Sequence, residues 1–415
     1  MKKKNYALTL AMTIAFSAGM MITSLAGWKS QNGTWYYYND STGQMVRDDW
    51  VRSGDKWYYV DTNGVMKVNS LIDDTYYVNG KGEMVMNTWM YLEDKWYQDA
   101  GWRYFGNNGK AYANGWKQIN EVWYHFSNSI MDTDWLEEDG KTYYLGKSGA
   151  MTTGWRLLAD REDDWGEYWY YFGGNGKMYA GGEYTINGSV YVLDTHGRMK
   201  NGWVNTADYT SSTWGDLSTS KIDKLKYYKS GGQRASGWQY LTSPDEAEES
   251  WYYFRDGRAY SPEYKTTKIG KGYGMAKIKG DTYCFDSKGR MVTGLVEVDG
   301  GKKFYFNPEN GKMMTGRVIV NDENHDNEVF YFTTTGSIGN KGDGITGVKD
   351  GCLYENGLLI RAEDGMRYEK VVVDGKEYVV NEQGKIKTSG TVTDADGVKY
   401  KITKRDDGTY KIEVL

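Results

Sequence analysis

Short apolar and polar runs alternate along almost the whole chain after residue 27. Aromatic clusters such as Trp35-Tyr-Tyr-Tyr38 and Trp57-Tyr-Tyr59 recur about every 20 residues, with turn residues between them. Aromatic and β-branched side chains suit a pleated strand, and Gly supplies the positive φ of a tight turn. The pattern therefore predicts β-hairpins joined by glycine turns.

A second recurring element is a glycine turn that carries a methionine between two aromatic clusters. It occurs in Gly43-Gln-Met45, Gly64-Val-Met66, Gly82-Glu-Met84, Gly197-Arg-Met199, Gly289-Arg-Met291 and Gly311-Lys-Met313. Roughly fifteen such units follow one another, and none is long enough to bury an apolar face alone. The sequence therefore predicts an all-β protein, a β-solenoid of stacked β-hairpins.

The tryptophans define the register of these hairpins. Four pairs lie seven residues apart: Trp28/Trp35, Trp50/Trp57, Trp89/Trp96 and Trp116/Trp123. A two-residue turn at Asn32-Gly33 makes Trp28 the cross-strand partner of Tyr37. Because alternate residues of a strand share a face, Trp28, Trp35 and Tyr37 project from one side. The same counting groups Trp50, Trp57 and Tyr59, so each hairpin offers a three-ring face that its neighbour can close into a slot.

Composition indicates what these rings are for. The chain has 17 Trp and 38 Tyr but only 10 Phe. Buried indole and phenol groups need hydrogen-bond partners, so a core alone would favour Phe, Leu and Val. All the tryptophans lie between Trp28 and Trp251, although the repeat continues beyond them. We therefore expect the tryptophans to serve a ligand, the alternative being that they form only the core.

Charge and cysteine content exclude some functions. With 51 basic and 56 acidic residues, the chain has no basic field for nucleic acid or anionic lipid. Its two cysteines, Cys284 and Cys352, either form one disulfide or stay unpaired, and neither arrangement points to catalysis.

The N-terminus has the pattern of a secretory signal peptide. Three lysines at positions 2–4 precede an apolar run from Ala7 to Ile22 and the small residues Ser24-Leu-Ala26. The alternative is a membrane anchor. Removal of residues 1–26 would change the formal charge from −5 to about −8. We expect a secreted protein that has no membrane contact after cleavage and attaches to a surface non-covalently.

No pattern indicates an enzyme, a cofactor or a metal site. The carboxylate groups Asp73/Asp74, Asp163/Asp164 and Glu137-Glu-Asp139 could serve acid–base chemistry, but they fall between aromatic strands, where loops are expected. His125, His196 and His325 are too scattered for a metal motif. The repeats also leave no segment for a catalytic domain.

The unit Gly149-Ala-Met-Thr-Thr-Gly-Trp155, followed by Trp169-Tyr-Tyr171, resembles the cell-wall-binding, or choline-binding, repeats of Gram-positive surface proteins. In that family, hairpins wind into a β-solenoid, and two tryptophans of one repeat with a tyrosine of the next cage the choline groups of teichoic acids. The resemblance implies cages at Trp28, Trp35 and Tyr59; Trp50, Trp57 and Tyr77; Trp116, Trp123 and Tyr144; and Trp155, Trp169 and Tyr191.

The resemblance also implies that methionines such as Met45 and Met66 floor these cages. The chain departs from the family pattern at Gln98 and His125, where a ring is expected, and at Thr142, where a second tryptophan is expected. The sites around Trp89/Trp96, Trp116/Trp123 and Trp135 are therefore degenerate candidates.

From about Tyr264 onward, units such as Phe304-Tyr-Phe306 with Gly311-Lys-Met-Met-Thr-Gly316 resemble repeats of clostridial toxins and glucan-binding glucosyltransferases. We divide the chain into a signal peptide (1–26), Trp-rich wall-binding repeats (27–260) and Trp-free diverged repeats (261–415). The predicted function is non-catalytic attachment to choline-type groups on teichoic acids or related wall polymers. The alternative is glucan or peptidoglycan binding through exposed aromatic platforms.

Overall fold

A computed structural model describes residues 27–93, 100–161, 166–205, 217, 221–245, 248–270 and 272–415. The predicted signal peptide, Trp96 and the pair Asp163/Asp164 lie outside these residues. The described chain is all-β, as predicted, with a single 3-10 turn at Ile222–Lys224 and no α-helix. In this part of the chain, no helix is long and apolar enough to cross a membrane.

The chain forms two compact units, of which the first comprises Met1–Thr153 and Gly174–Lys177. Its described strands pair mostly as two-stranded antiparallel hairpins. They are β1 Gly27–Gln31, β2 Thr34–Tyr38, β3 Asp49–Ser53, β4 Lys56–Val60, β5 Ser70–Ile72, β6 Tyr76–Val78, β7 Thr88–Leu92, β8 Gly101–Phe105, β9 Gly115–Ile119, β10 Val122–Ser127, β11 Ile130–Met131, β12 Asp134–Glu138 and β13 Lys141–Leu145.

The second unit comprises Gly154–Gly173 and Met178–Leu415. It continues the hairpins and adds sheets of three to five strands. Its strands are β14 Gly154–Ala159, β15 Glu167–Phe172, β16 Gly182–Ile186, β17 Ser189–Leu193, β18 Gly202–Asn205, β19 Leu225–Tyr228, β20 Gly237–Thr242, β21 Glu249–Arg255, β22 Arg258–Ala259, β23 Thr267–Gly270, β24 Tyr273–Ile278, β25 Asp281–Asp286, β26 Met291–Val292, β27 Gly294–Glu297, β28 Lys303–Phe306, β29 Met313–Met314, β30 Gly316–Asp322, β31 His325–Phe332, β32 Gly347–Lys349, β33 Cys352–Glu355, β34 Leu358–Ile360, β35 Tyr368–Val373, β36 Lys376–Asn381, β37 Gly390–Thr393, β38 Lys399–Lys404 and β39 Tyr410–Val414.

The register predicted for the first hairpin is confirmed. Trp28 pairs with Tyr37 and Ser30 with Trp35 across β1 and β2. The turn residues Asn32 and Gly33 have φ of 49° and 81°, the combination of a type I′ turn. The β3–β4 and β9–β10 hairpins have the same register, with Trp50 opposite Tyr59 and Trp116 opposite His125.

The prediction for the Trp89/Trp96 hairpin is wrong. Strand β7 pairs with β8, so Trp89 lies opposite Tyr104 and Tyr91 opposite Trp102. The seven-residue spacing to Trp96 therefore does not mark a hairpin here, because the connection between the strands is longer than two residues. Trp102, two residues before Tyr104, takes the place that Trp35 has in the first hairpin.

Backbone hydrogen bonds join the first, second and β9–β10 hairpins to the segment that follows the next hairpin. The Met66 N–H, after the second hairpin, donates to the carbonyl oxygen of Trp35 in the first hairpin at 2.9 Å. The N–H groups of Met84 and Met151 donate to the carbonyls of Trp57 and Trp123 in the same way, each at 2.8 Å. Consecutive hairpins are thus linked through the backbone of the tryptophans.

The methionine side chains pack against the glycine of the next turn. A Cβ placed on Gly64 would lie 2.9 Å from Met45 Sδ, and one on Gly82 would lie 2.8 Å from Met66 Sδ. Real Cβ atoms do not approach so closely, so glycine is needed for this contact as well as for the positive φ of the turn. The methionine of one repeat therefore fixes the turn of the next.

The Trp-free part of the second unit has cores of aliphatic and phenylalanine side chains. Phe304, Phe306, Phe330 and Phe332 are fully buried there. Leu295 pairs with Tyr305 across β27 and β28, at the position that tryptophan occupies in earlier hairpins. Hairpins of this chain thus pack together without tryptophan. Both cysteines are free, with Cys284 in the core.

Candidate functional site

A recurring cluster of three rings, which we call a ring triad, forms around the first-strand tryptophan of a hairpin. The Trp28 ring centroid lies 5.1 Å from that of Tyr37, its cross-strand partner, and 5.1 Å from that of Tyr58 in the next hairpin. The planes meet at 71° and 70°, so the rings form the walls of a corner instead of a flat stack. Each triad is therefore shared by two hairpins.

The ring contacts of the described residues include seven ring triads. All their centroids lie between 4.8 and 5.3 Å from that of the tryptophan. They are Trp28 with Tyr37 and Tyr58; Trp50 with Tyr59 and Tyr76; Trp89 with Tyr104 and Tyr124; Trp116 with His125 and Tyr143; Trp155 with Tyr171 and Tyr191; Trp203 with Tyr227 and Tyr252; and Trp238 with Tyr253 and Tyr283.

At three sites, the tyrosine that contacts the tryptophan of the preceding hairpin is one residue earlier in the chain than the resemblance implied. Tyr58, Tyr76 and Tyr143 contact the preceding tryptophans in place of Tyr59, Tyr77 and Tyr144. The reason is strand alternation: one face of a hairpin carries its own tryptophan, and the opposite face meets the preceding hairpin. Tyr59 and Tyr144 lie beside Trp50 and Trp135 of their own hairpins, whereas Tyr77 packs near Phe105. Tyr191 lies beside Trp155, as the resemblance implied.

In several hairpins the second tryptophan is more exposed than the first. Trp57, Trp123 and Trp169 are 38%, 41% and 44% exposed, whereas first-strand tryptophans such as Trp28 and Trp155 are half-buried. Strand alternation places each second tryptophan on the face of the cross-strand ring. A triad with a second tryptophan thus has one open, aromatic edge.

Other groups cover part of the Trp203 and Trp238 triads. Tyr252 beside Trp203 is fully buried, and the Trp203 indole N–H donates to the Thr242 carbonyl at 3.0 Å. Buried Leu225 stands where a second tryptophan would be. One face of Trp238 is covered by Phe285, which stacks on it at 5.9 Å. The Trp203 triad therefore belongs to the core. The Trp238 triad keeps an exposed second tryptophan, Trp251, and Trp89 has a similar stacked ring, Phe126, at 5.8 Å.

Two tyrosine hydroxyls of the first triads, those of Tyr58 and Tyr59, have a raised pKa. Tyr59 donates to Asp48 at 2.5 Å, and this hydrogen bond raises the pKa of Tyr59 to about 12. Burial raises the pKa of Tyr58, with a further increase from Glu83 and Asp55. The rings therefore remain neutral, and their faces can attract a cation by their quadrupole.

The Trp116 triad carries additional polar groups. His125 takes the tyrosine position, and its Nδ1 lies 2.6 Å from Asp132 while its Nε2 lies 3.2 Å from Glu138. The Trp116 indole N–H donates to the other oxygen of Glu138 at 2.5 Å. His125 is buried, so the departure from the family pattern is built into the packing.

Two hairpins present an exposed cross-strand aromatic pair. Tyr91 and Trp102 are 51% and 45% exposed, with centroids 5.6 Å apart. Tyr240 and Trp251 are similarly exposed, with centroids 5.4 Å apart. The corresponding partner of Trp35 is Ser30, so these hairpins have a wider apolar surface than the first one.

The candidate catalytic carboxylates that the structure describes lie in a hairpin turn or in a strand. Asp73 and Asp74 lie in a hairpin turn, as predicted, with φ of 48° and 52°. Glu137 and Glu138 belong to strand β12 and not to a loop, which corrects the prediction for that group. Within the described ranges, no group of three or more His, Cys, Asp or Glu is arranged to hold a metal ion.

Several aromatic residues of the triads and their hairpins were not among the predicted binding residues; they are Trp102, Tyr104, Tyr124 and Trp238. The motif Trp102-Arg-Tyr104 repeats the Trp-x-Tyr spacing of Trp35-Tyr-Tyr37 and could have revealed the first two. Whether Met45 and Met66 floor a binding site stays a prediction, since the structure shows their contact with glycine turns.

Comparison with known proteins identifies the repeat. A family model described as a choline-binding repeat matches residues 25–71, 113–155 and 273–318. The first two matches cover the triads of Trp28 and Trp116, together with Trp50 and Tyr59 of the second triad, and the third match falls in the Trp-free part. The resemblance inferred from the sequence is thereby confirmed.

Among curated proteins, Glucosyltransferase-I of Streptococcus downei is 25% identical over 331 residues, covering 74% of this chain and 18% of that protein. Glucosyltransferase-S of Streptococcus mutans is 26% identical over 381 residues, covering 85% of this chain and 23% of that protein. The chain thus spans about a fifth of the length of these relatives. The likeness agrees with the predicted similarity to glucosyltransferase repeats.

Among solved structures, the modular autolysin LytC from Streptococcus pneumoniae is 18% identical, covering 70% of this chain and 53% of that chain with a TM-score of 0.39. Choline-binding protein F from the same species is 21% identical, covering 82% of this chain and all of that chain with a TM-score of 0.26. The repeat match and the glucosyltransferase relatives support a role in binding a cell-wall polymer or a glycan.

Proposed function

The chain carries choline-binding repeats in three separate segments, and from this premise we propose that it attaches to cell-wall polymers through quaternary ammonium groups of the choline type, such as those of teichoic acids. The binding sites are the open ring triads with their second tryptophans. They comprise Trp28 with Trp35, Trp50 with Trp57, and Trp155 with Trp169, together with the tyrosines of each triad.

The ring geometry is the observation that carries this proposal. A quaternary ammonium has a low charge density and no N–H donor. A site with neutral aromatic walls therefore suits it as a ligand, whereas such a site does not suit an anionic ligand such as a carboxylate or a phosphate. Each ring within about 6 Å of the cation contributes ~0.5–2 kcal/mol. After the cost of association, a three-ring site should bind with about millimolar affinity, near −4 kcal/mol.

Multivalency compensates for weak single sites. We propose that the hairpins of each unit wind into a β-solenoid, which the links from Met66 and Met84 to the preceding hairpins support. Several sites on a stiff scaffold that meet a polymer with repeated ligands gain two to four orders of magnitude in affinity. The repetition of the hairpin is thus explained by the function.

The same proposal includes the location of the protein and its lack of catalytic activity. The chain is secreted by cleavage of the predicted signal peptide and held at the cell wall non-covalently. The Trp-rich repeats of residues 27–260 bind the wall, and the Trp-free repeats of 261–415 extend from them. The repeats bind and do not catalyse, so the protein should leave purified wall polymers uncleaved.

Retention on choline-bearing cell walls tests this function. The full chain should bind such walls and be released by millimolar choline. The W28A/W50A variant should bind more weakly, because it lacks the central ring of two triads. A Y91S/Y240S variant is the matched control. It removes two exposed rings outside the triads and introduces serine, the residue that Ser30 provides at the same position of the first hairpin. Retention that free choline does not reverse would contradict the proposal.

A second candidate function is binding of neutral glycans, and the exposed pairs favour it. Tyr91 with Trp102 and Tyr240 with Trp251 are open to solvent and can stack on sugar faces without closure by a neighbouring hairpin. Relatives named glucosyltransferases agree with a glycan ligand. The same variants separate the two functions: glucan retention should fall in Y91S/Y240S and persist in W28A/W50A.

A further inference from the structure

In the Trp116 triad, a carboxylate accepts the indole N–H and lies at the edge of the tryptophan. We propose that this site binds a protonated amine that still has N–H groups, such as a primary ammonium, with Glu138 as the residue that determines this specificity. The inference rests on the proposed function, because it assumes that the triads bind organic cations. It gives one triad a different ligand from the rest.

The first step is the position of Glu138. One carboxylate oxygen accepts the indole N–H of Trp116 at 2.5 Å, and the other lies 3.2 Å from Nε2 of His125. Since the indole nitrogen belongs to the ring itself, a cation over the face of Trp116 lies within a few ångströms of this carboxylate. Tyr143 and His125 bound the same tryptophan, at 4.8 and 5.1 Å between centroids.

The second step is the accessibility and the remaining capacity of Glu138. Its side chain is 36% exposed, so a ligand can reach it from solvent. A carboxylate has about four acceptor positions, and the two contacts described leave some of them open. Asp132 holds the opposite nitrogen of His125 at 2.6 Å and also accepts a hydrogen bond from Ser127 at 2.8 Å. His125 is thus a positioning residue that keeps Glu138 beside the indole.

The third step is the chemistry of the ligand. A primary ammonium is strongly hydrated and loses its water in a purely aromatic site, so it needs an acceptor that replaces the lost hydrogen bonds. Charge-assisted N–H···O bonds to a carboxylate are the strong ones in proteins. A quaternary ammonium has no N–H group, so it gains only the electrostatic attraction to the carboxylate and forms no hydrogen bond with it. A carboxylate beside the ring therefore favours the amine.

The triads of Trp28, Trp155 and Trp203 lack this arrangement. The Trp203 indole donates to a backbone carbonyl, of Thr242. Next to the Trp155 and Trp203 triads, the residues at the strand position of Glu138 are Ile186 and Leu241, both apolar. Next to the Trp28 triad, the corresponding residue is the neutral Ser53. The carboxylate is therefore a property of the Trp116 site that the repeat itself does not require.

Calorimetric titration of the full chain with ethanolamine and with choline tests the inference, because the two ligands differ only in three N-methyl groups. The wild-type chain should bind ethanolamine at a site that W116A removes. E138Q keeps the side-chain shape and should weaken ethanolamine binding about tenfold, with little change in total choline binding. E121Q, with the same charge change in the exposed turn of that hairpin, is the control and should bind like wild type.

The outcomes separate this inference from the proposed function. If choline binds and ethanolamine does not, or if E138Q binds ethanolamine as wild type does, the inference is wrong and the choline function stands. If E138Q weakened the binding of ethanolamine and of choline equally, the inference would also be wrong, since Glu138 would then respond to charge alone. If neither ligand binds, both proposals fail.

Discussion

At the scale of single residues, strand alternation decides which rings meet. The sequence predicts the pairing of Trp28 with Tyr37 because both belong to one hairpin whose turn is short and recognisable. It does not predict Tyr58, because that choice depends on which face of the next hairpin packs against the tryptophan. A one-residue shift selects the opposite face, so the sequence pattern alone could not distinguish Tyr58 from Tyr59.

The two cysteines should differ in reactivity. Burial, with a smaller contribution from Asp286, raises the pKa of Cys284 to about 12, so its reactive thiolate forms only as the pH approaches that value. Cys352 is partly exposed. We expect iodoacetamide at mildly alkaline pH to label one thiol in the native chain and both after denaturation, as counted by mass spectrometry.

The C352S variant provides the control for this labelling. Its native chain should take up no label, whereas its denatured chain should take up one. Rapid labelling of Cys284 in native C352S would show that the core around β25 is open to solvent. A native chain in which neither cysteine reacts, but both do after reduction, would point to the disulfide that the sequence left open.

At the scale of one element, the hairpin and its following turn act as a unit. The turn glycines were predictable from their positive φ, but their second role was not. Gly82 has φ of 79°, and a Cβ there would also meet Met66 Sδ at 2.8 Å. Similarly, Trp96 shares the seven-residue spacing of the true hairpins, but the pairing of β7 with β8 puts Trp102 at the position of the second tryptophan.

Substitution of Gly82 should separate these two roles. G82A introduces backbone strain of about 1–2 kcal/mol and overpacks the contact with Met66 by a further ~1–3 kcal/mol. G33A is the matched control, because Gly33 has φ of 81° with nothing within 4 Å of its Cβ position. Urea unfolding followed by tryptophan fluorescence should therefore show a larger loss of stability in G82A than in G33A.

A double-mutant cycle tests the contact itself. Shortening the methionine in M66A/G82A removes the clash, so the two substitutions should together destabilise less than their sum. Strict additivity would show that Gly82 is required only for its φ. Equal losses in G82A and G33A would lead to the same conclusion.

At the scale of the whole molecule, repetition gives both stability and binding strength. The all-β class and the repeat were predictable, because aromatic clusters and glycine turns recur with a fixed spacing. The two compact units were not, since their boundary near Thr153 coincides with no change in composition. Leu295 opposite Tyr305 shows that a hairpin can close without tryptophan, so loss of tryptophan should affect binding more than folding.

Affinity for the polymer should depend on the number of intact triads. Each of W28A, W50A and W155A should lower the affinity for a choline-bearing wall polymer severalfold, and their combination should reduce it by orders of magnitude. Affinity for monomeric choline per remaining site should stay constant. Surface-immobilised polymer and a concentration series of each variant provide the measurement. A single substitution that abolishes polymer binding would contradict the multivalent account.

The most direct measurement is the calorimetric titration of choline into the full chain, beside the W28A/W50A variant. The account predicts saturable binding with about millimolar dissociation constants at several sites, and fewer sites in the variant with no change in its fold by circular dichroism. Absence of saturable heat, or the same number of sites in both proteins, would show that the ring triads are packing elements and do not bind the ligand.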